Sequence, residues 1–407
     1  MNYVTNTVVY TVISSLDEIC SLVLLVVVLF RLIHGFKLMK AEVFLALLLI
    51  AMCLIGLISN LFSNIQPLRY ALVDMLTCSK FVIVYLGIRA FYTGKIPETF
   101  FYDNFNRAAR FLSVLYFALT VHDYLFTPFF PQVDFRYFAL STKLFFPHPT
   151  YLANSCIILI CILCFTLKTH RSNMIYIWML LSVAVMTFRA KAVAFAALFL
   201  LLNLFVAYFK VRSKFLLFLP LTLGGLYIGW DQIQYYFVEI TNSARAIMSR
   251  DCVKIANRFF PLGAGFGTYG SFMANIHYSA LYRSLGYNGR AGMSEQSPHF
   301  LSDTFWPIVI GQFGYFGLIC FLGIAVCFFI IAFHFQDQDH NAFIALLSVL
   351  LYMMISSTSE SSFFNPYATL YFIIFGLMVS QKLSENKAGK KKAASAAFQS
   401  KYIKQGK

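Results

Sequence analysis

Charged residues are scarce in this chain of 407 residues: 12% are Asp, Glu, Lys or Arg, against 59% hydrophobic and 18% aromatic. Soluble domains carry about a quarter of their residues as charges, so the shortage excludes a chain whose surface faces water throughout. Acids are scarcer still, 17 against 32 Lys and Arg, leaving a formal net charge of +15. In a soluble protein that excess would point to nucleic acid. Here much of it sits in short loops and at the C-terminus, where it reports how a chain crosses a bilayer, and no nucleic-acid partner is expected. There is no H-E-x-x-H, no Asp-rich run and no paired Cys outside apolar stretches, so neither a metal cage nor a cofactor is expected. Of nine cysteines, Cys20, Cys53, Cys78, Cys156, Cys161, Cys164, Cys320 and Cys327 fall in apolar segments. Only Cys252 is expected to be exposed, which argues against a disulfide framework. The Cys161-x-x-Cys164 pair reads as small apolar packing. The N-terminus lacks a basic region and a small-residue cleavage site, so no removed signal peptide is expected.

What the chain has in abundance is apolar runs. A transmembrane helix needs about 20 such residues, and about eleven candidate spans begin near positions 10, 42, 71, 109, 149, 173, 190, 215, 304, 341 and 365. The expectation is an all-α polytopic membrane protein. Residues 1–230 form the first part of the bundle, with an amphipathic segment at 126–149, and 231–303 form one long outer helical loop. Residues 304–383 complete the bundle, and 384–407 form a basic tail expected to be disordered. Lys and Arg collect at 31–40, 95–110, 168–171 and 210–214, which makes that side cytoplasmic. The span count puts the tail there too. It puts the 126–149 segment, the turn at Arg189 and Lys191 and the long loop on the opposite side. Four charges lie at membrane depth, where charges are costly: Asp17, Glu18, Asp74 and Lys80. An Asp74–Lys80 ion pair is the expectation.

Three places on the outer side carry chemistry-bearing residues. Arg250, Lys254 and Arg258 recur at intervals of four and stack on one helix face. The stretch Pro261–Gly270, PLGAGFGTYG, then breaks the helix and offers Gly265 and Gly267 as sources of exposed amide donors for an anion. Without a preceding strand it is not a dinucleotide fingerprint. Arg189 and Lys191 stand at a tight turn beside a helix start, a natural phosphate site, and the amphipathic segment on the same side carries Arg136, Lys143 and His148. Glu295, His299 and Asp303 are spaced by four. A helix beginning at Ser297 would set His299 and Asp303 on one side as a base with an orienting carboxylate. The alternatives are a snorkelling pair at Arg189 and Lys191, a solvated face at Arg250–Arg258, and caps at His299 and Asp303. Tyr269, Tyr278, Tyr282 and Tyr287 are either sugar-stacking surfaces or markers of the bilayer interface.

Four stretches carry a family likeness: FFPHPTYLAN at Phe145–Asn154, the Arg of FRAKA, RDCVKIANRFFPLGAGFGTY at Arg250–Tyr269, and SDTFWPIVIGQFGYFGL at Ser302–Leu318. With these the chain resembles the bacterial O-antigen polymerase and ligase superfamily, and the Wzy-type polysaccharide polymerases in particular. Family ligases show a His-x-His-Asn-like element where this chain has Ser297, Pro298, His299 and Phe300, a departure that favours a polymerase. The resemblance implies a GT-C-like fold in the bacterial inner membrane with its active site facing the periplasm. It implies an inverting, metal-independent glycosyltransferase that moves a growing glycan from undecaprenyl diphosphate onto the next lipid-linked repeat unit. Partners would be the undecaprenyl-diphosphate-linked oligosaccharide, membrane lipids and a chain-length regulator. Arg189 and Arg258 would be the leading diphosphate contacts, with Arg250 and Arg136 behind them and Lys254, Gly265 and Gly267 completing the set. His299 would be the base, with Glu295 or Asp303 as fallback. The alternatives are a ligase acting on lipid A-core and a flippase for lipid-linked sugars.

Overall fold

The computed structural model describes residues 16–92, 100–130, 133–136, 139–209 and 243–405. The described chain is mostly helical. In order come α1 (Leu16–Ile33), α2 (Lys40–Ser63), α3 (Leu68–Phe91), a π-helical turn and α4 (Asn106–Leu125). A short antiparallel hairpin, β1 (Val133–Arg136) with β2 (Ala139–Ser141), leads to α5 (Pro149–Phe165), α6 (Asn173–Met186) and α7 (Ala190–Phe209). Then come α8 (Ala244–Arg258), the single turns α9 (Phe272–Ile276) and α10 (Ala280–Ser284), and finally α11 (Trp306–Phe333), α12 (His340–Ser356) and α13 (Pro366–Gln405). Three of these, α2, α3 and α11, are long and apolar enough to cross a membrane, and α5, α6, the Ala190–Leu204 part of α7 and α12 are shorter apolar helices. The run expected near position 215 lies outside the described residues. The basic tail, expected to be disordered, is helical and continues α13 to Gln405.

The helix starts follow local chemistry. His148 caps α5, its Nδ1 accepting from the Thr150 amide at 3.3 Å with Pro149 in the first turn, where proline's missing N–H costs nothing. Asp339 caps α12 through the Ala342 amide at 3.1 Å, and Ser243 caps α8 through Ala246 at 3.2 Å. At the centre stands α3, buried without interruption from Cys78 to Gly87 and packed by α1, α2 and α13.

Lys80 and Arg89 inside the bundle each pair with an acid, though not as the sequence suggested. Asp74 and Lys80 are six residues apart, so they project from the helix about 120° apart. Lys80 instead pairs with Asp17 and lies 3.5 Å from Glu18 on α1. Glu42 of α2 accepts from Arg89 and from the Tyr85 hydroxyl, each at 2.7 Å. Asp74 turns to the long loop and accepts from the Gly267 amide at 2.7 Å.

That last bond belongs to the device that seats the loop. α11 breaks at Gly314, whose φ of 61° is left-handed. The break frees the carbonyls of Gly311 and Gln312, which in a continuous helix would accept from the amides of Tyr315 and Phe316. Ala264 and Gly265 donate to them instead, at 2.9 and 2.8 Å. From the other side α2 completes the seam: Asn60 bonds both the amide and the carbonyl of Phe266, Ser63 bonds the Ala264 carbonyl at 2.7 Å, and Ser59 bonds that of Gly263. A Cβ on Gly265 would fall 2.7 Å from the Asn60 backbone nitrogen. The glycines let a backbone lie between two helices, and the amides expected to face an anion are taken.

Beyond the seam the loop has its own small core of Ile247, Met248, Cys252, Tyr269, Tyr282, Tyr287 and neighbours. Tyr269 and Tyr287 share a hydroxyl contact of 2.9 Å, and Tyr287 donates to Asp251 at 3.0 Å. These tyrosines, with Tyr278, are buried and so present no ring to a sugar or a bilayer surface. Cys252, expected to be exposed, is buried as well, and burial pushes its thiol up to about 12.

Candidate functional site

Three segments converge where the hairpin, the α6–α7 turn and the α12–α13 connection meet. In the turn, Phe188 adopts a left-handed φ of 46° and sets Arg189 just ahead of α7. In the hairpin, Asp134 is left-handed too, at φ 49°, and the strand register slips there. Such a bulge re-aims a side chain, and the Asp134 carboxylate accepts from Arg189 Nη2 at 2.9 Å. The Thr142 amide, donating to the Met186 carbonyl at 3.2 Å, ties the hairpin to the end of α6. Leu144 is also left-handed. Thus three of the four described non-glycine residues with positive φ surround one site. Such conformations cost on the order of 1–3 kcal/mol each and cluster where a structure holds side chains for a task.

The rest of the site extends from this pair. Lys191 binds Glu360, in the connection before α13, and Glu360 also accepts from the Tyr367 hydroxyl. Arg245, in the first turn of α8, lies 3.9 Å from Asp303, and Asp303 in turn feels the charge of Glu360. Arg136 is near enough to repel Arg189. His148 is held below its ordinary range by partial burial and then by the nearby cations Arg189, Lys191 and Arg136, with Asp134 opposing. Burial first, and then the charge of Arg136, lowers Arg189, with Asp134 opposing, and the guanidinium stays charged. Asp303 is raised, chiefly by burial, with Arg245 pulling it down and Glu360 pushing it up.

The result is four cations, Arg136, Arg189, Lys191 and Arg245, against three carboxylates, Asp134, Asp303 and Glu360. Arg189 and Lys191 are the most buried of the cations, each with a side chain 9% exposed, while the side chain of Asp134, the partner of Arg189, is 52% exposed. Among the described residues, the Arg189 Nε is buried without a hydrogen-bond partner. A buried donor left unmatched is uncommon and costs about 1–3 kcal/mol. An oxyanion replacing Asp134 would find a second N–H ready in the same fork.

Other expected site residues lie elsewhere. Arg250, Lys254 and Arg258 do share an exposed face of α8. There Lys254 binds Asp251 at 2.7 Å, and Arg258 lies over the Phe259 ring. Gly265 and Gly267 are buried in the seam. Glu295 is exposed and bound by Arg283 at 2.7 Å. His299 is exposed in a turn, because the helix expected from Ser297 begins only at Trp306. Pro298 and Pro307 bracket this stretch, and a residue before proline is pushed away from helical geometry. His299 and Asp303 therefore share no helix face. Of the candidate bases, Asp303 alone has contacts within the cluster among the described residues. Glu360 and Asp134 escaped the sequence reading. The signal for Glu360 was slight: it is the lone acid in a serine-rich connection that the span count puts on the same side as Arg189.

Among the described residues, no group of three or more His, Cys, Asp or Glu is placed to hold a metal ion. No protein-family model matches the chain, and no curated protein matches it in sequence. The chain is therefore defined by its own features, a mostly helical protein with helices able to cross a membrane and a compact cationic and carboxylate cluster at one end of the bundle.

Proposed function

We propose that the protein is a polysaccharide polymerase of the Wzy type, a glycosyltransferase that moves a growing glycan from undecaprenyl diphosphate onto the non-reducing end of the next lipid-linked repeat unit. In this reading the fold is GT-C-like with about eleven spans in the bacterial inner membrane, the cluster faces the periplasm and the C-terminus is cytoplasmic. The observation that carries it is Arg189, a buried guanidinium with one unmatched N–H whose present partner is a half-exposed carboxylate. An anionic leaving group would take the place of Asp134. The sugar arrives already activated, so the acceptor hydroxyl oxygen attacks the anomeric carbon, the bond from that carbon to the diphosphate oxygen breaks, and the lipid diphosphate departs with the electron pair. Arg189, with Arg136 and Lys191 around it, stabilises the charge that develops there. The hydroxyl proton goes to Asp303, with Glu360 beside it. Asp303 takes this role ahead of His299 because it stands within the cluster.

Transport is the competing reading, and the bundle does hold interior charges. Lys80 with Asp17 and Arg89 with Glu42 are bound to one another, which suits structural staples better than a moving charge path. Purified protein supplied with a lipid-diphosphate repeat unit, in detergent and without a gradient, is expected to produce longer lipid-linked chains. A protein that moves the substrate across vesicles without extending it would be a transporter, and one that extends nothing but transfers finished polymer to lipid A-core would be a ligase.

A further inference from the structure

His148, which the reaction proposed above does not use, stands exposed between the hairpin and α5. Its ring feels charges from two segments, Arg189 and Lys191 where α7 begins and Arg136 and Asp134 in the hairpin. Its Nδ1 accepts from the Thr150 amide at 3.3 Å. A ring nitrogen that accepts carries no proton, so the imidazole is neutral and its one N–H is at Nε2. An imidazolium has a proton on both nitrogens and would give up this cap bond. Partial burial, and then the three cations, disfavour it as well, with Asp134 opposing, because burial and like charge both act against a further positive charge. Cap and field therefore favour the same neutral tautomer.

A second observation says that a ligand belongs beside this ring. The Arg189 side chain, 9% exposed, has an Nε with no partner among the described residues, and buried donors are rarely left unmatched. An oxyanion displacing Asp134 from Arg189 would bring more negative charge than the carboxylate it replaces, and the field at His148 would then turn toward the imidazolium. We propose that His148 is a further ligand of the anion that Arg189 receives, donating from Nε2, and that the ring takes up a proton at Nδ1 as the anion binds. The inference rests on the reading of the cluster as an anion site and adds to it a residue and a pH dependence. A group whose pKa is raised by binding strengthens binding below its free value, and the gain is lost as pH rises through its bound value. Anion affinity is therefore highest in mild acid and falls toward alkaline pH. Asp303 and Glu360, the other carboxylates of the cluster, act in the same direction when they gain protons, so the assignment turns on a variant rather than on the profile alone.

The test is titration of the full-length protein, purified in detergent, with sulfate at about pH 5.5 and about pH 8, which bracket the ordinary histidine range, read by isothermal titration calorimetry. Sulfate is a dianion at both values, so the probe itself does not titrate. Wild type is expected to bind about tenfold more tightly at the lower pH, the effect of a pKa raised by about one unit. His148→Asn keeps a favoured N-cap and cannot titrate, and it is expected to bring the ratio below about threefold. His148→Ser, another favoured cap, is expected to do the same. Arg189→Ala is expected to bind no sulfate at either pH. A wild-type ratio near one, or a tenfold ratio kept by both His148 variants, would overturn the role of His148 and leave the anion site standing. No sulfate binding by wild type, or wild-type binding by Arg189→Ala, would overturn the anion reading and this inference with it.

Discussion

Two groups of cations on this protein differ more in their surroundings than in their composition. The row on α8, Arg250, Lys254 and Arg258, is regular in sequence and exposed in space. The group around Arg189 is scattered through the chain, from Arg136 to Arg245, yet it is drawn together, partly buried and interleaved with carboxylates. An exposed cation is screened by water and salt, whereas a buried one acts over short range with little screening. Regular spacing therefore marks a helix face, while convergence of distant residues, held by left-handed backbone at Asp134, Leu144 and Phe188, marks the better candidate site.

Substitutions can break this comparison, and the largest effect is expected at Arg189. Arg189→Ala is expected to lower chain extension by about 10²-fold or more, the scale seen when a group that stabilises developing charge is removed, while Arg258→Ala changes it less than about fivefold. Product length on a sugar-lipid gel reads both. Next comes the base: Asp303→Asn is expected to cost about 10²-fold, the lower end for general base catalysis, with His299→Ala close to wild type. A reversal of those two would return the role to the exposed turn. The pH profile sharpens the same point. Asp303 must be deprotonated to accept the proton, and its raised pKa means that rate is lost on acidification at a pH above the ordinary carboxylate range. Arg245→Gln removes the cation that pulls Asp303 down, so the acid limb is expected to move to still higher pH. An unmoved limb would separate Asp303 from Arg245.

Smaller effects test the frame. Gly265→Ala puts a methyl against Asn60 at a φ of +96°, and a loss of about 1–3 kcal/mol in unfolding free energy is expected from strain of this kind, read by thermal denaturation in detergent. The smallest change is Asp134→Asn, which loosens the carboxylate from Arg189 and is expected to tighten binding of the diphosphate donor by about fivefold or less, near the value of an exposed ion pair.

The helical class and the apolar helices were legible because period and length are local properties of the chain. Arg189 was legible too, since a charged pair in a turn between apolar runs stands out. What sequence could not supply was pairing across the fold. Lys80 found Asp17 rather than Asp74 because helix geometry turns Asp74 away, and the glycine stretch looks like an open anion nest in sequence because nothing local announces the carbonyls freed at Gly314. Glu360 carried almost no signal, and its importance comes only from what Lys191 and Tyr367 do with it.

We propose above all that Arg189 receives an anionic leaving group in a glycosyl transfer. Its most direct test is reconstitution of purified wild type, Arg189→Ala and Arg258→Ala with one defined lipid-diphosphate repeat unit. Long chains are expected from wild type and Arg258→Ala, and unextended repeat units from a folded Arg189→Ala. Chain extension by Arg189→Ala at the wild-type rate would contradict it.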